Sequence, residues 1–279
     1  MVGGASMGIK KNSSMKMVEK NIKIKDIDMN YVAFGNGKEN LIIVPGLSDS
    51  LTPISQMGMT LYKQLKGFTT SFRIYVFARR KNLPPDFTTR NMADDLYRVL
   101  ESLGLDNYSM LGLSQGGMIA QYFSINDPHS LKKLIIAVSL SKPNNTSKQV
   151  FERWHTLSVQ GAYKKLIVDT VKKTCPSGSC KCFKYLAAFL STLGKSKSLK
   201  GFIIQSEACM NHNSYEELHR IKTPTMIIGG MKDVIVGHRA AAEIAANIPN
   251  AILKEYENLG HDPLNHKDVI KDIYHFLIS

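Results

Sequence analysis

The sequence predicts an α/β protein with a mostly parallel, doubly wound sheet of eight strands and one helical insertion. Short runs that are uniformly apolar, such as residues 41–44 and 134–138, are typical of strands buried on both faces of a sheet. Segments with helical periodicity alternate with these runs, as crossover helices do between parallel strands. The alternation stops at Ser141 and resumes near Pro224. These observations predict one sheet domain that a helical segment interrupts.

The chain before Ser141 supplies six of the predicted strands. Residues 21–25 alternate polar and apolar side chains, as a half-exposed edge strand does, and residues 28–34 continue as its hairpin partner. The next strands are predicted at 41–44, 73–77, 108–111 and 134–138, and the helices between them at 56–65, 89–103 and 117–123. The second helix carries its apolar side chains on one face and ends at Gly104, where a left-handed C-cap fits.

Residues 141–222 are the predicted insertion, which we call the predicted cap. Helical spacing of Val150, Trp154 and Leu157 replaces the strand pattern there. The remaining chain predicts strands at 225–228 and 251–256, a helix at 239–247 and a closing helix at 266–277. We therefore expect a core domain at 21–140 and 223–279, a helical cap at 141–222, and a disordered tail or non-native extension at 1–20.

Length and composition suit a packed globular protein. The chain has 279 residues, of which 43% are hydrophobic, enough for one large α/β domain with an insertion. The longest apolar runs are far shorter than the roughly 20 residues of a membrane span. The first twenty residues lack the apolar segment and cleavage site of a secretory signal. We expect a cytoplasmic protein with no membrane span, either a monomer or a homodimer.

The positive charge is concentrated in two stretches. The formal net charge is +13; residues 142–222 hold fourteen Lys or Arg against five Asp or Glu, and residues 1–25 hold six Lys against one Glu. An excess of basic over acidic residues can indicate nucleic-acid binding, but the sequence contains no nucleic-acid-binding motif. We predict no nucleic-acid partner. The lysines of the predicted cap form either a solvated face or a field that attracts anionic substrates.

All four cysteines fall in one stretch of the chain. Cys175, Cys180, Cys182 and Cys209 could bind zinc together with His212, but structural zinc sites use regularly paired spacings that are present here only in loose form. Reduced thiols packed in a helical region are the alternative. We predict no metal site and no organic cofactor.

The segment Gly112-Leu113-Ser114-Gln115-Gly116 carries the chemistry. It follows a predicted strand and precedes a predicted helix, so Ser114 falls on a sharp corner where neighbours two residues away must lack side chains. Such a corner exposes the Ser114 hydroxyl as a nucleophile. It also directs the amide of Gln115, at a helix N-terminus, towards the group that Ser114 attacks.

A nucleophilic serine needs a base, and the base needs an acid that orients it. Asp233 and His261 each follow a predicted strand, at the sheet edge where functional groups of parallel sheets cluster. Asp262 is an alternative acid. The alternative bases fall mostly in predicted helices or in the predicted cap: His129, His155, His212, His219, His238, His266 and His275.

The corner at residues 112–116, which we call the elbow, resembles the nucleophile elbow of the α/β-hydrolase family. The chain order Ser114, Asp233, His261, the segment 224–230 and Gly260-His261 resemble the same family, and the resemblance covers roughly residues 21–140 and 223–279. The resemblance implies the α/β-hydrolase fold, a small acyl substrate and no cofactor. It assigns a second oxyanion donor to the backbone amide of Leu47. It also predicts that the cap residue Trp154 fills the cap's own core and lines the substrate site.

Two departures from the family pattern concern the loops around this site. Pro45 replaces a histidine that usually supports the oxyanion loop. Residues 77–81 carry Arg79 and Arg80 where relatives have an Asp-x-x-Gly turn. Either these two arginines face the site and attract a carboxylate or phosphate of the substrate, with Arg79 as the predicted binding residue, or both point outward as solvated charges.

We therefore expect a serine hydrolase that cleaves a carboxylic ester, thioester or lactone through an acyl-enzyme. Two other functions remain open for the same fold. One is a receptor-like protein that binds a ligand without turnover, and the other is a lyase that uses the same three residues as acid and base.

Overall fold

The computed structural model describes residues 17–127, 131–174 and 199–279, so the predictions for Cys175, Cys180, Cys182 and His129 lie outside the described residues. The described residues form one sheet of eight strands. The strands are β1 Val18–Ile24, β2 Ile27–Phe34, β3 Glu39–Val44, β4 Phe72–Arg80, β5 Tyr108–Leu113, β6 Leu131–Ala137, β7 Thr225–Gly230 and β8 Ile252–Tyr256.

The strand order is β1-β2-β4-β3-β5-β6-β7-β8. The first three strands in that order pair antiparallel, and every pair from β4 to β8 is parallel. A parallel series places the carboxyl ends of β3, β5, β7 and β8 at one edge of the sheet. The predicted fold class is thus confirmed.

Helices cover both faces of the sheet. Those outside the insertion are α1 Ile54–Gln64, α2 Thr89–Ser102, α3 Gln115–Asn126, α7 Ala240–Asn247 and α8 Lys267–Ile278. Ile42 and Val44 point to the face that α2, α3 and α7 cover, whereas Leu41 and Ile43 point to the face of α1 and α8. Since successive strand residues face opposite sides, a uniformly apolar strand supplies both cores.

Three α-helices lie between β6 and β7 in the described part of the chain: α4 Asn145–Val159, α5 Tyr163–Thr174 and α6 Lys200–Met210. Asn144 caps α4 by accepting from the Ser147 amide, while the Ser147 hydroxyl accepts from the Asn144 amide. The helical character expected of this stretch is present where it is described. The boundaries of the predicted cap, 141 and 222, stay a prediction.

Several predicted boundaries differ from the observed ones by up to three residues, and two of them change the description of the chain. The strand β1 begins at Val18, so the tail predicted for residues 1–20 cannot extend that far. The strand predicted at 73–77 continues to Arg80, which pairs with Met29 of β2. The prediction ended this strand before Arg79 and Arg80 because charged residues usually lie outside buried strands. In the structure both arginines are buried and hydrogen-bonded within β4.

Among the described residues, the helices are all too short or too polar to cross a bilayer.

Candidate active site

Ser114 lies on the corner between β5 and α3. Its backbone has φ 54° and ψ −119°, a conformation that L-residues rarely adopt. Gly112 and Gly116 make the corner possible: a Cβ on Gly112 would lie 2.5 Å from the Gly116 carbonyl oxygen, and one on Gly116 would lie 1.9 Å from that of Val44. The two glycines predicted to flank a strained serine are therefore required by backbone contact.

The loops after β7 and β8 bring Asp233 and His261 to Ser114. The amide of Lys232 donates to the Leu259 carbonyl over 2.9 Å, which joins the two loops. His261 Nδ1 lies 2.7 Å from Asp233 Oδ2, and His261 Nε2 lies 2.8 Å from Ser114 Oγ. The structure thus brings together the three side chains that were predicted from sequence.

Hydrogen bonding at Asp233 indicates which ring nitrogen of a neutral His261 carries the proton. Asp233 Oδ1 accepts from the amides of Ile235 and Val236, at 2.8 and 3.0 Å. Its other oxygen faces His261 Nδ1, and an ionised carboxylate can only accept. In the neutral form of His261 the proton is therefore on Nδ1, which leaves Nε2 to accept the Ser114 hydroxyl proton. This is the state in which an imidazole acts as a base.

The loop after β3 approaches Ser114 closely. A Cβ on Gly46 would lie 3.1 Å from Ser114 Cβ. The amides of Leu47 and Gln115 begin a 3-10 helix and α3, respectively, and neither donates to a backbone carbonyl of the described chain. Two free backbone donors beside a serine hydroxyl can bind an oxyanion. The roles predicted for Leu47 and Gln115 are therefore geometrically available.

Asp262, the alternative acid, has a different contact. Its carboxylate accepts a hydrogen bond from the side chain of Asn265, and burial raises its pKa. The nitrogen of His261 that an orienting acid would engage lies 2.7 Å from Asp233. The geometry favours Asp233.

His212, an alternative base, lies in a buried network that joins α6 to the sheet domain. Its Nδ1 lies 2.9 Å from Thr89 Oγ1, and its Nε2 lies 3.2 Å from Ser214 Oγ. Burial, with a smaller contribution from Arg90, lowers its pKa from 6.5 to about 3. A histidine that stays neutral in this way holds structure together and does not exchange protons near neutral pH.

The His212 network makes stability depend on pH. The unfolded chain takes up a proton on His212 below pH 6.5, whereas the folded chain does so only near pH 3. The free energy of unfolding should therefore fall with pH in that window, by about 2 kcal/mol at pH 5. Urea unfolding at pH 7 and pH 5 should show His212→Gln losing most of this difference. The exposed His219, changed to Gln, should leave it unaltered, and an unchanged pH dependence in His212→Gln would contradict the assignment.

Trp154 lies in the apolar cluster that covers this end of the sheet. The indole is 4% exposed and shares the cluster with Leu47, Met118 and Ile235. Its Nε1 donates to Asp169 Oδ2 of α5 over 2.9 Å. Trp154 thus belongs to an apolar cluster that includes both the helical insertion and Leu47. Its role in lining the substrate site stays a prediction.

Arg79 and Arg80 are not solvated, and the outward alternative is wrong. Each is only 7% exposed. Arg80 pairs with Asp95 and with Asp26, an arrangement that anchors α2 and the β1–β2 hairpin to β4. Arg79 contacts the carbonyl of Pro45 and the side chain of Gln115. The predicted contact between Arg79 and a substrate carboxylate or phosphate remains untested.

Sequence reasoning missed two residues that shape this site. Ser139 Oγ donates to the carbonyl of Ser114 over 2.8 Å, and Asp49 Oδ2 accepts from the Arg79 amide over 2.7 Å. Ser139 follows β6, so its position just past a buried strand was the available signal. Asp49 carried no such signal, because its partner is thirty residues away in the chain.

The described residues contain no group of three metal-ligating side chains. Cys209 is buried and accepts a hydrogen bond from the Gln115 side chain over 3.2 Å, and burial raises the pKa of its thiol to about 12. Cys209 is therefore a reduced thiol packed in the protein interior.

This chain is similar to proteins that are described as hydrolases or as having the alpha/beta hydrolase fold. A family model described as alpha/beta hydrolase fold matches residues 39–177. A protein of Pseudomonas savastanoi pv. phaseolicola with the name "Putative carbamate hydrolase RutD" is 26% identical over 208 residues, which are 68% of this chain and 76% of that protein.

Solved structures share the same architecture. The crystal structure of MGS-M2, an alpha/beta hydrolase enzyme from a Medee basin deep-sea metagenome library, superposes with a TM-score of 0.82 at 17% identity and covers 93% of this chain and 98% of that one. The enol-lactonase of Burkholderia xenovorans LB400 gives a TM-score of 0.79 at 14% identity, with coverage of 93% and 100%.

Proposed function

The chain belongs to the α/β-hydrolase fold family of enzymes, and on this basis we propose that it is a serine hydrolase acting by acyl transfer. Its substrate is a carboxylic ester or a related acyl compound, such as a thioester or lactone. Ser114 is the nucleophile, His261 the base and Asp233 the acid. The observation that carries this proposal is the continuous hydrogen-bonded chain from Asp233 through His261 to Ser114 Oγ, at 2.7 and 2.8 Å.

The first half of the reaction forms the acyl-enzyme. Ser114 Oγ attacks the carbonyl carbon while His261 Nε2 takes the hydroxyl proton, and Asp233 stabilises the imidazolium. The amides of Leu47 and Gln115 donate to the oxyanion of the tetrahedral intermediate. When that intermediate collapses, the bond to the leaving alcohol breaks and His261 returns its proton to the alcohol oxygen.

The second half releases the acyl group. Water attacks the Ser114 ester carbonyl and gives its proton to His261, and the same two amides hold the second oxyanion. Collapse restores the Ser114 hydroxyl and frees the carboxylic acid. The protein's own side chains supply every proton transfer in this scheme, so it requires no metal and no organic cofactor.

The surroundings of Ser114 favour an uncharged acyl group. The cluster over the site contains Leu47, Met118, Trp154, Ile235 and Val236, all of them buried and apolar. An apolar wall excludes water from the reacting carbonyl and does not compensate a buried charge. The names of similar proteins, a carbamate hydrolase and an enol-lactonase, support hydrolysis at a carbonyl carbon.

We expect a burst of product when the enzyme meets an activated ester. Rapid mixing with p-nitrophenyl acetate should release about one equivalent of p-nitrophenol per active site before the steady rate, because acylation of Ser114 is faster than its hydrolysis. Stopped-flow absorbance measures the amplitude. Comparing acetate, butyrate and octanoate esters would show which acyl length fits the apolar cluster.

The same experiment separates the other functions. A receptor-like protein would release no p-nitrophenol, although its serine could still be phosphonylated. A lyase that uses the three residues only as acid and base would turn over its own substrate with no stoichiometric acylation. Absence of both burst and steady hydrolysis across the ester series would contradict the proposed function.

A further inference from the structure

The Arg79 guanidinium contacts the segments that carry both proposed oxyanion donors. Its Nη2 donates to the carbonyl of Pro45 over 2.5 Å, two residues before Leu47. The same nitrogen donates to Gln115 Oε1 over 3.2 Å. One side chain therefore joins the loop after β3 to the first residue of α3.

Asp49 attaches the other end of the oxyanion loop to the same strand residue. Its Oδ2 accepts from the backbone amide of Arg79 over 2.7 Å and lies 3.6 Å from Arg79 Nη1. Leu47 lies midway between Pro45 and Asp49, so the segment that presents the Leu47 amide is held on both sides. Because β4 is an interior strand, this attachment is rigid.

Gln115 is held from the opposite direction by α6. Its Nε2 donates to the carbonyl of Gln205 over 2.9 Å and to the sulfur of Cys209 over 3.2 Å. With Oε1 facing Arg79 and Nε2 facing α6, the amide orientation of the Gln115 side chain is defined. The elbow residue is thus fixed between β4 and the helical insertion.

Arg79 and Asp49 form a buried ion pair. Burial lowers its pKa while Asp49 raises it, and arginine keeps its proton in proteins. Arg79 Nε and Asp49 Oδ1 are buried without a hydrogen-bond partner among the described residues. Because Asp49 balances the charge of Arg79, the effect of Arg79 on the site comes from the contacts that its guanidinium makes.

We propose that Arg79 is a positioning residue that assembles the oxyanion hole, and that it substitutes for the support lost where Pro45 replaces a histidine. The proposal rests on the proposed function. Arg79 does not touch the substrate; it fixes the distance between the Leu47 and Gln115 amides. Binding of the substrate in its ground state should therefore depend little on Arg79, whereas stabilisation of the tetrahedral intermediate should depend on it strongly.

The test compares Arg79→Met with Arg80→Met. The two arginines are adjacent and equally buried, but Arg80 pairs with Asp95 and Asp26 on the other face of β4. The Arg80→Met variant therefore measures the general cost of losing a buried arginine. Ester hydrolysis, inhibition by a trifluoromethyl ketone that forms a tetrahedral adduct, and Tm are measured for both variants and for the unmodified enzyme.

For Arg79→Met we expect kcat to fall about 10²-fold, the scale of losing one oxyanion donor, with KM within about threefold. Affinity for the trifluoromethyl ketone should fall by the same factor as kcat/KM. Arg80→Met should lower Tm while keeping kcat and ketone affinity within about threefold of the unmodified enzyme.

If Arg79→Met does not fold, Arg79→Lys serves in its place, since one ammonium group cannot reproduce the planar contacts to Pro45 and Gln115. Unchanged kcat and ketone affinity in the folded variant would overturn the proposal, and so would a loss confined to KM, which indicates substrate binding. Failure of the proposed function is distinguishable, because it would appear in the unmodified enzyme as absent ester turnover.

Discussion

Ser114→Ala is expected to lower kcat for ester hydrolysis by about 10⁶-fold, the scale measured when the serine of a Ser-His-Asp hydrolase is removed. Without the hydroxyl, no acyl-enzyme can form, and His261 has no proton to accept at that position. Any residual hydrolysis would come from water held in the site and from the two free amides of Leu47 and Gln115. Steady-state rates at saturating ester measure the loss.

The fold should survive the Ser114→Ala change. The left-handed backbone at Ser114 is held by Gly112 and Gly116 and by the bond from its amide to the Ala137 carbonyl, which do not involve the hydroxyl. Alanine carries the same Cβ as serine, so the backbone strain is similar. Tm should stay within a few degrees, roughly what 1 kcal/mol produces in a chain of this size. Activity retained at this Tm would mean that another residue is the nucleophile.

Asp233→Asn is expected to lower kcat by about 10⁴-fold with little change in structure, as removal of the carboxylate does in the best-studied triad. The Asn oxygen can still accept from the Ile235 and Val236 amides, which directs its NH₂ group at His261 Nδ1. An NH₂ donor there favours the imidazole protonated on Nε2. That tautomer cannot take the proton of Ser114.

Asp262→Asn is the matched control for the acid. Asp262 is adjacent to His261, but its carboxylate accepts from Asn265 instead. We expect kcat to remain within about tenfold of the unmodified enzyme, since no tautomer is altered. A pH profile of kcat for both variants gives a second measurement. The assignment of Asp233 would be wrong if Asp262→Asn abolished activity and Asp233→Asn did not.

The fold was predictable because its strands and turns carry local signals. Residues 41–44 of β3, 134–137 of β6 and 226–228 of β7 are apolar on both faces, a pattern that few other structures produce. Gly104 adopts φ 62° after α2, at the position where a left-handed C-cap was predicted. The arrangement of Ser114, Asp233 and His261 was predictable because all three follow the carboxyl ends of strands at one edge of the sheet, one, three and five residues after β5, β7 and β8.

The contact between Arg79 and the loop after β3 was not predictable from the sequence. Arg79 reads as a charged residue that ends a strand, whereas it is buried against Pro45, thirty-four residues earlier in the chain. Periodicity describes neighbours in sequence and carries no information on such pairs. The burial that lowers the His212 pKa was hidden in the same way, because it arises from packing against residues far away in the chain, such as Thr89.

Location of a fluorophosphonate adduct tests the central claim most directly. The protein is treated with the probe, its intact mass is measured, and the modified peptide is sequenced by mass spectrometry. The account predicts one adduct, on Ser114, which is absent from Ser114→Ala and slow to form in Asp233→Asn. An adduct on any other serine, or persistent labelling of Ser114→Ala, would contradict it.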